Sequence, residues 1–152
     1  MRVNTGGRRN EIELTAEQLS EAVEYAVRLG MPADRIYYNS YDCTAYGQRF
    51  DLLRIGTDIL PVGKRSEEPN DNISLKGAVA HEIVGHRDAA LKNMTQTDDL
   101  LEEVQASIRA AKFAPELSNQ ERLDLLKDAV ARLKKNNIKL NEIRHKLYIN
   151  ER

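Results

Sequence analysis

Two of the chain's three histidines and one glutamate fall within six residues, in the stretch Gly77-Ala78-Val79-Ala80-His81-Glu82-Ile83-Val84-Gly85-His86. Imidazole nitrogens and carboxylate oxygens are the ligands of a divalent transition ion, and a carboxylate beside such an ion can take a proton from water. In the spacing H-E-x-x-H the two histidines lie one helical turn apart and share one Zn²⁺. Here the spacing is H-E-x-x-x-H. At ~100° per residue, positions five apart diverge by roughly 140° around an α-helix and rise ~7.5 Å along it, too far for one ion. Two arrangements restore a site. A π-bulge with i→i+5 pairing would return His81 and His86 to one face, and Gly85, the poorest helix former short of proline, sits where the ladder would deform. A regular helix would instead pair Glu82 with His86 at i and i+4 and leave His81 beside them. A third account needs no metal, only a solvated helix edge or a capped histidine. The apolar neighbours Ala78, Val79, Ile83, Ala89 and Ala90 weigh against it, because a carboxylate among them is costly unless something satisfies it.

A second carboxylate is a candidate partner. Around 98 to 113, Leu100, Leu101, Val104, Ile108 and Ala111 form one helical stripe. Glu103 lies at its margin and points partly inwards, whereas Glu102 projects towards Asp98, Asp99 and Arg109. A metal would satisfy Glu103, with Ser107 one turn later holding the carboxylate. The alternative is a surface glutamate at the edge of the stripe. Zinc is the expected ion, since imidazole and carboxylate suit it and the single Cys43 offers no thiolate cage. His145, between Arg144 and Lys146, reads as surface in preference to a site residue.

The rest of the chain must position these groups. With 152 residues, 41% hydrophobic and 31% charged, it has the composition of one ordinary domain, long enough to bury ~68–70% of its unfolded surface. A net charge of −1 gives no overall pull towards nucleic acid or an anionic membrane. No run of 18 apolar residues and no charged-then-apolar leader is present, so nothing within the chain directs membrane insertion or secretion. Residues 1–10, with Thr5-Gly6-Gly7-Arg8-Arg9, read as a flexible basic arm, and 11–152 as a single metallohydrolase-like domain. Thr15 and Gln18 form a capping box for a helix over 16 to 29. Residues 35–39 and 50–55 read as strands of a small antiparallel sheet. Further helices are expected over 74 to 91 and from a Thr97 or Asp98 cap to about Phe113. Another starts from a Ser118 cap with Glu121, its broad leucine face being core without chemistry. The fold class is α+β, mainly helical, with a small N-terminal sheet packed against the helical half.

The segment 77–86, together with Leu101-Glu102-Glu103-Val104-Gln105-Ala106-Ser107-Ile108-Arg109-Ala110-Ala111, resembles the two active-site helices of gluzincin-type metallopeptidases. Residues 30 to 150 also resemble the C-terminal toxin domains of bacterial polymorphic toxins. The resemblance implies a zincin-like helical half, His81, His86 and Glu103 as zinc ligands and Glu82 as general base. It further implies a protein or peptide substrate, a cognate immunity protein as partner, and delivery to a target cell as part of a larger bacterial protein. The extra residue departs from the peptidase pattern. A nuclease-type toxin using the same cluster, favoured by the basic residues Lys64, Arg65 and Arg87, and a non-enzymatic interaction module are the competing readings.

Overall fold

A computed structural model describes residues 8–152. The first helix, α1 (Ala16–Arg28), starts at the expected capping box, with the Thr15 hydroxyl accepting from Gln18 N–H and the Gln18 side chain accepting from Thr15 N–H. It ends at Gly30, whose φ of 110° is the left-handed conformation that glycine adopts without a Cβ penalty. Ala22, Tyr25 and Ala26 face inwards.

Three short strands follow: β1 (Ile36–Tyr38), β2 (Ala45–Gly47) and β3 (Leu52–Ile55), in the spatial order β1-β3-β2. The sheet is mixed. β1 runs parallel to β3 and β2 antiparallel to it, correcting the expected antiparallel sheet. The reason is β2 itself: this three-residue strand, too short to carry an alternating pattern, turns the chain back between the two legible strands. Leu53 and Ile55 of β3 are fully buried, while β2 forms one edge.

The central helix has three parts: α2 (Leu75–Ala80), a π-helical segment (His81–Arg87) and α3 (Asp88–Leu91). Ser74 caps it by accepting from Gly77 N–H. Then come α4 (Asp99–Phe113), capped by Asp98, α5 (Asn119–Lys135), with the Ser118 and Glu121 capping box, and the single turn α6 (Leu140–Ile143). One apolar cluster joins α1, the sheet and α2 through Tyr25, Leu53, Ile55, Val79, Ile83 and Val84. Another joins α4, α5 and the C-terminal segment through Val104, Ile108, Ala129, Leu133 and Leu147. Each fully buried aliphatic side chain in them contributes ~1.5–3 kcal/mol. The π segment lies against α4, between the two clusters.

Of the arm expected over 1–10, residues 1–7 lie outside the described residues. Arg8 and Arg9 are docked: Arg8 donates to Ser40 O and Thr57 Oγ1, and Arg9 to the carbonyls of Asp58, Ile59, Asn70 and Ile73. Cys43 is a half-buried thiol whose pKa is raised by burial. Among the described residues no helix is long and apolar enough to cross a membrane.

Candidate metal centre

The extra residue in H-E-x-x-x-H is absorbed by the π segment. Its i→i+5 pairing, seen at its end where Asp88 N–H donates to Ile83 O, widens the turn until five residues complete it. His81 and His86 therefore share a face, their rings edge-on at 4.8 Å between centroids and their Nε2 atoms 3.1 Å apart. Gly85 matters through the neighbouring helix. A Cβ there would lie 2.5 Å from Ala106 O and 2.8 Å from Ala106 Cα, so only glycine lets α4 come this close. Ile83 and Val84 are fully buried and hold the widened turn in the core. Arg109 of α4 donates from Nε to Val84 O, and Arg87 fastens the other side by donating to both Asp51 oxygens, at 2.8 and 3.2 Å.

This close approach delivers Glu103. Its Oε2 lies 2.9 Å from His81 Nε2 and 3.2 Å from His86 Nε2, so three ligand atoms form a nearly equilateral triangle. The partners behind them decide the tautomers. His86 Nδ1 lies 2.6 Å from Glu102 Oε2, an acceptor, so Nδ1 carries the proton. The Ser107 hydroxyl donates to Asp128 Oδ2 at 2.8 Å, which leaves its oxygen to accept from His81 Nδ1 at 3.0 Å. In neutral rings both Nε2 atoms then present lone pairs to each other and to the Glu103 carboxylate. Three electron pairs aimed at one point call for a positive charge between them, a proton or a metal ion.

The electrostatics favour a positive charge at this point, which a proton on His86 or a metal ion can supply. Burial pulls the His86 pKa down, but the carboxylates of Glu102, Glu103 and Glu82 outweigh it and raise the value to about 10. Burial pushes Glu103 up, yet its contacts with His81 and His86 hold it far below the usual carboxylate range. The histidine side chains are only 12% and 15% exposed, so water screens little of this. A tetrahedral zinc ion with bonds of ~2.0–2.1 Å has ligand atoms about 3.3 Å apart, close to the observed triangle. Three protein ligands around such an ion would leave a fourth position open, as in catalytic zinc sites.

Glu82 faces the same cluster. Ligand atoms of His81, Glu82 and His86 lie within 4.8 Å of one another, so those three alone could also hold an ion. The Glu82 Oε2 atom accepts from Tyr46 N–H of β2 at 3.0 Å, which ties the carboxylate to the sheet beside the triangle. Of the two carboxylates, Glu103 is the one within hydrogen-bond distance of both Nε2 atoms, and Glu82 stands beside the cluster.

Three expectations need correction. Ser107 supports His81, not the Glu103 carboxylate. Glu102 is no idle surface group: it holds His86 through Oε2 and accepts from Gln96 N–H through Oε1 at 2.8 Å, because the π turn rotates His86 over it. Helix α5 is not chemically silent either. Asp128, only 2% exposed, backs the Ser107–His81 pair and also accepts from Arg132 Nε at 3.0 Å. An aspartate on the inner face of an otherwise leucine-rich helix was the available signal, visible at 128 and again at 124. His145 is exposed, on a 3-10 turn at 144–146.

A cleft passes over the cluster. A cavity of about 230 Å³ in front of His81, Glu82 and Glu103 shares Glu82, Glu103 and Thr44 with a 330 Å³ recess along β2. On the other side it shares Asn70 and Arg132 with a 600 Å³ recess between residues 68–71 and α5. Searches against protein-family models, curated proteins and solved structures returned no match to this chain.

Proposed function

We propose that the chain is a zinc-dependent hydrolase that cleaves peptide bonds, with His81, His86 and Glu103 as ligands and Glu82 as general base. The observation that carries this reading is the convergence of two Nε2 lone pairs and one carboxylate oxygen within 2.9–3.2 Å, each histidine oriented from behind by an acceptor. Bound zinc would supply Lewis acidity, polarising a carbonyl and acidifying water at neutral pH. Glu82 would accept the proton from water and pass it to the leaving amine, and the Tyr46 N–H keeps its carboxylate aimed along the cluster. Glu102 and Ser107 keep both histidines in the ligating tautomer.

The shape of the cleft supports an extended substrate. Its two recesses flank the cluster, and the edge strand β2 borders one of them. Two of the three basic residues that favoured a phosphodiester are engaged elsewhere, Arg87 with Asp51 and Arg65 with both oxygens of Asp124, while Lys64 is exposed and lines a different recess. Action as the toxin domain of a larger bacterial protein rests on the resemblance of residues 30 to 150 to such domains, and a cognate immunity protein belongs to the same reading.

Two glutamate variants test it. Glu82→Gln is expected to retain about one zinc per chain by elemental analysis while losing ~10²–10⁴ in rate, because the amide fills the same space but takes no proton. Glu103→Gln is expected to lose zinc and activity together. Growth inhibition on expression inside a bacterial cell reads activity without a known substrate. Wild-type protein with no metal and no thermal shift on adding Zn²⁺ would end the reading, and a fully toxic Glu82→Gln would end the assigned mechanism.

A further inference from the structure

The cations around the cleft are not equivalent. Arg9 lines the central cavity but spends its donors on four main-chain carbonyls, pinning the N-terminal segment to the loops around Asp58 and Asn70. Arg132 lines the same cavity and uses only Nε, on Asp128 Oδ2. Among the described residues its two terminal amino groups have no hydrogen-bond acceptor, and the side chain is 32% exposed. Asp128 thus holds one edge of the guanidinium, through the residue that also supports Ser107 and His81, and the outer edge of the fork is left open where the central cavity meets the larger recess.

We infer that Arg132 binds a carboxylate of the substrate on the side of the cleft away from β2, so that the enzyme prefers peptides with a carboxylate next to the scissile bond. This deepens the zinc hydrolase reading and rests on it. A guanidinium edge matches a planar carboxylate with two parallel hydrogen bonds. Glu82, Glu103 and Asp58 face the same cavity, so one open guanidinium suits a monoanion better than a doubly charged phosphate. The carboxylate can come from an acidic side chain or from a free C-terminus.

Calorimetry on zinc-loaded protein tests this with two small probes, neutral butanohydroxamate and succinic monohydroxamate, which carries a carboxylate in place of the terminal methyl. Wild type is expected to bind the carboxylate probe about 10- to 100-fold tighter, as a charge-assisted pair provides. Arg132→Gln is expected to bring that ratio close to one, and Arg132→Lys to keep part of it, having the charge without the fork. Because the ratio is read within one protein, a general weakening of the zinc site moves both affinities and leaves it unchanged. Succinyl hydroxamates extended by a glutamate amide or by leucine with a free carboxylate separate the two sources. An equal ratio in wild type and Arg132→Gln overturns the inference and leaves the zinc site standing, as does a wild-type preference for a phosphonate analogue. If neither hydroxamate binds zinc-treated wild type, the zinc site fails and the inference fails with it.

Discussion

The two histidines are held from two different regions. His86 is backed near the start of α4 by Glu102, a carboxylate in direct contact at 2.6 Å. His81 is backed at the seam of α4 and α5 by the neutral Ser107 hydroxyl at 3.0 Å, with the Asp128 charge one hydrogen bond further away. A direct charge-assisted bond is shorter and roughly twice as strong as a neutral one. The first support makes a ligand strongly basic, whereas the second orients its ligand and, through Asp128 and Arg132, links it to the cleft wall. On the proposed function, one support would tune the metal and the other would couple it to the substrate side.

The largest expected effect comes from the frame both supports share. Gly85→Ala puts a methyl group against the backbone of α4 at Ala106. Overpacking of this kind costs about 1–3 kcal/mol. Because α4 carries Glu102, Glu103 and Ser107 together, displacing it should abolish zinc binding at micromolar ion. Thermal melts with and without Zn²⁺ check this: a variant whose melting still rises with zinc as in wild type would show that the close approach is dispensable.

Removing the supports singly sharpens the comparison. Loss of a group behind a metal-bound histidine typically costs 10- to 100-fold in affinity. Glu102→Gln is expected near the upper end, because it removes a charge in contact with the ring, and Ser107→Ala near the lower end. Competition with a zinc-chelating dye measures both. Equal losses, or a larger one for Ser107→Ala, would mean that the buried Asp128 acts as strongly through the hydroxyl as Glu102 does directly.

The smallest effect is expected at Asp124 of α5, which pairs with Arg65 in two bonds of 2.9 Å but touches none of the cluster residues. Burial pushes the Asp124 carboxyl up, and its bonds from Arg65 and Gln120 outweigh this and lower its pKa below the usual aspartate range. A folded-state pKa below the unfolded one adds stability above about pH 4 and loses it as the pH falls through the folded value. Arg65 is 60% exposed, so water screens the pair and its contribution to stability is small. Asp124→Asn should therefore melt slightly below wild type at pH 7, with the gap closing as the pH falls through the folded-state value and zinc affinity unchanged at pH 7. A gap that widens in acid would reverse the sign of the argument.

The sequence by itself determined the local elements and singled out His81, Glu82, His86 and Glu103 as the groups to bring together. Caps at Thr15, Ser74, Asp98 and Ser118 are local hydrogen-bonding chemistry, so helix starts were legible from a few residues. The odd spacing of His81 and His86 announced a π turn, since two ligands five apart meet on no other regular helix. The tertiary structure alone decided between that turn and the regular helix that would have used Glu82 with His86. It did so by wedging Gly85 against Ala106 and drawing Glu103 into the triangle. It also decided the roles of Glu102, Ser107, Asp128 and Arg132, which depend on how α4 and α5 pack around the central helix. Period and composition along one chain carry no information about which polar groups on separate helices will face each other across a shared core.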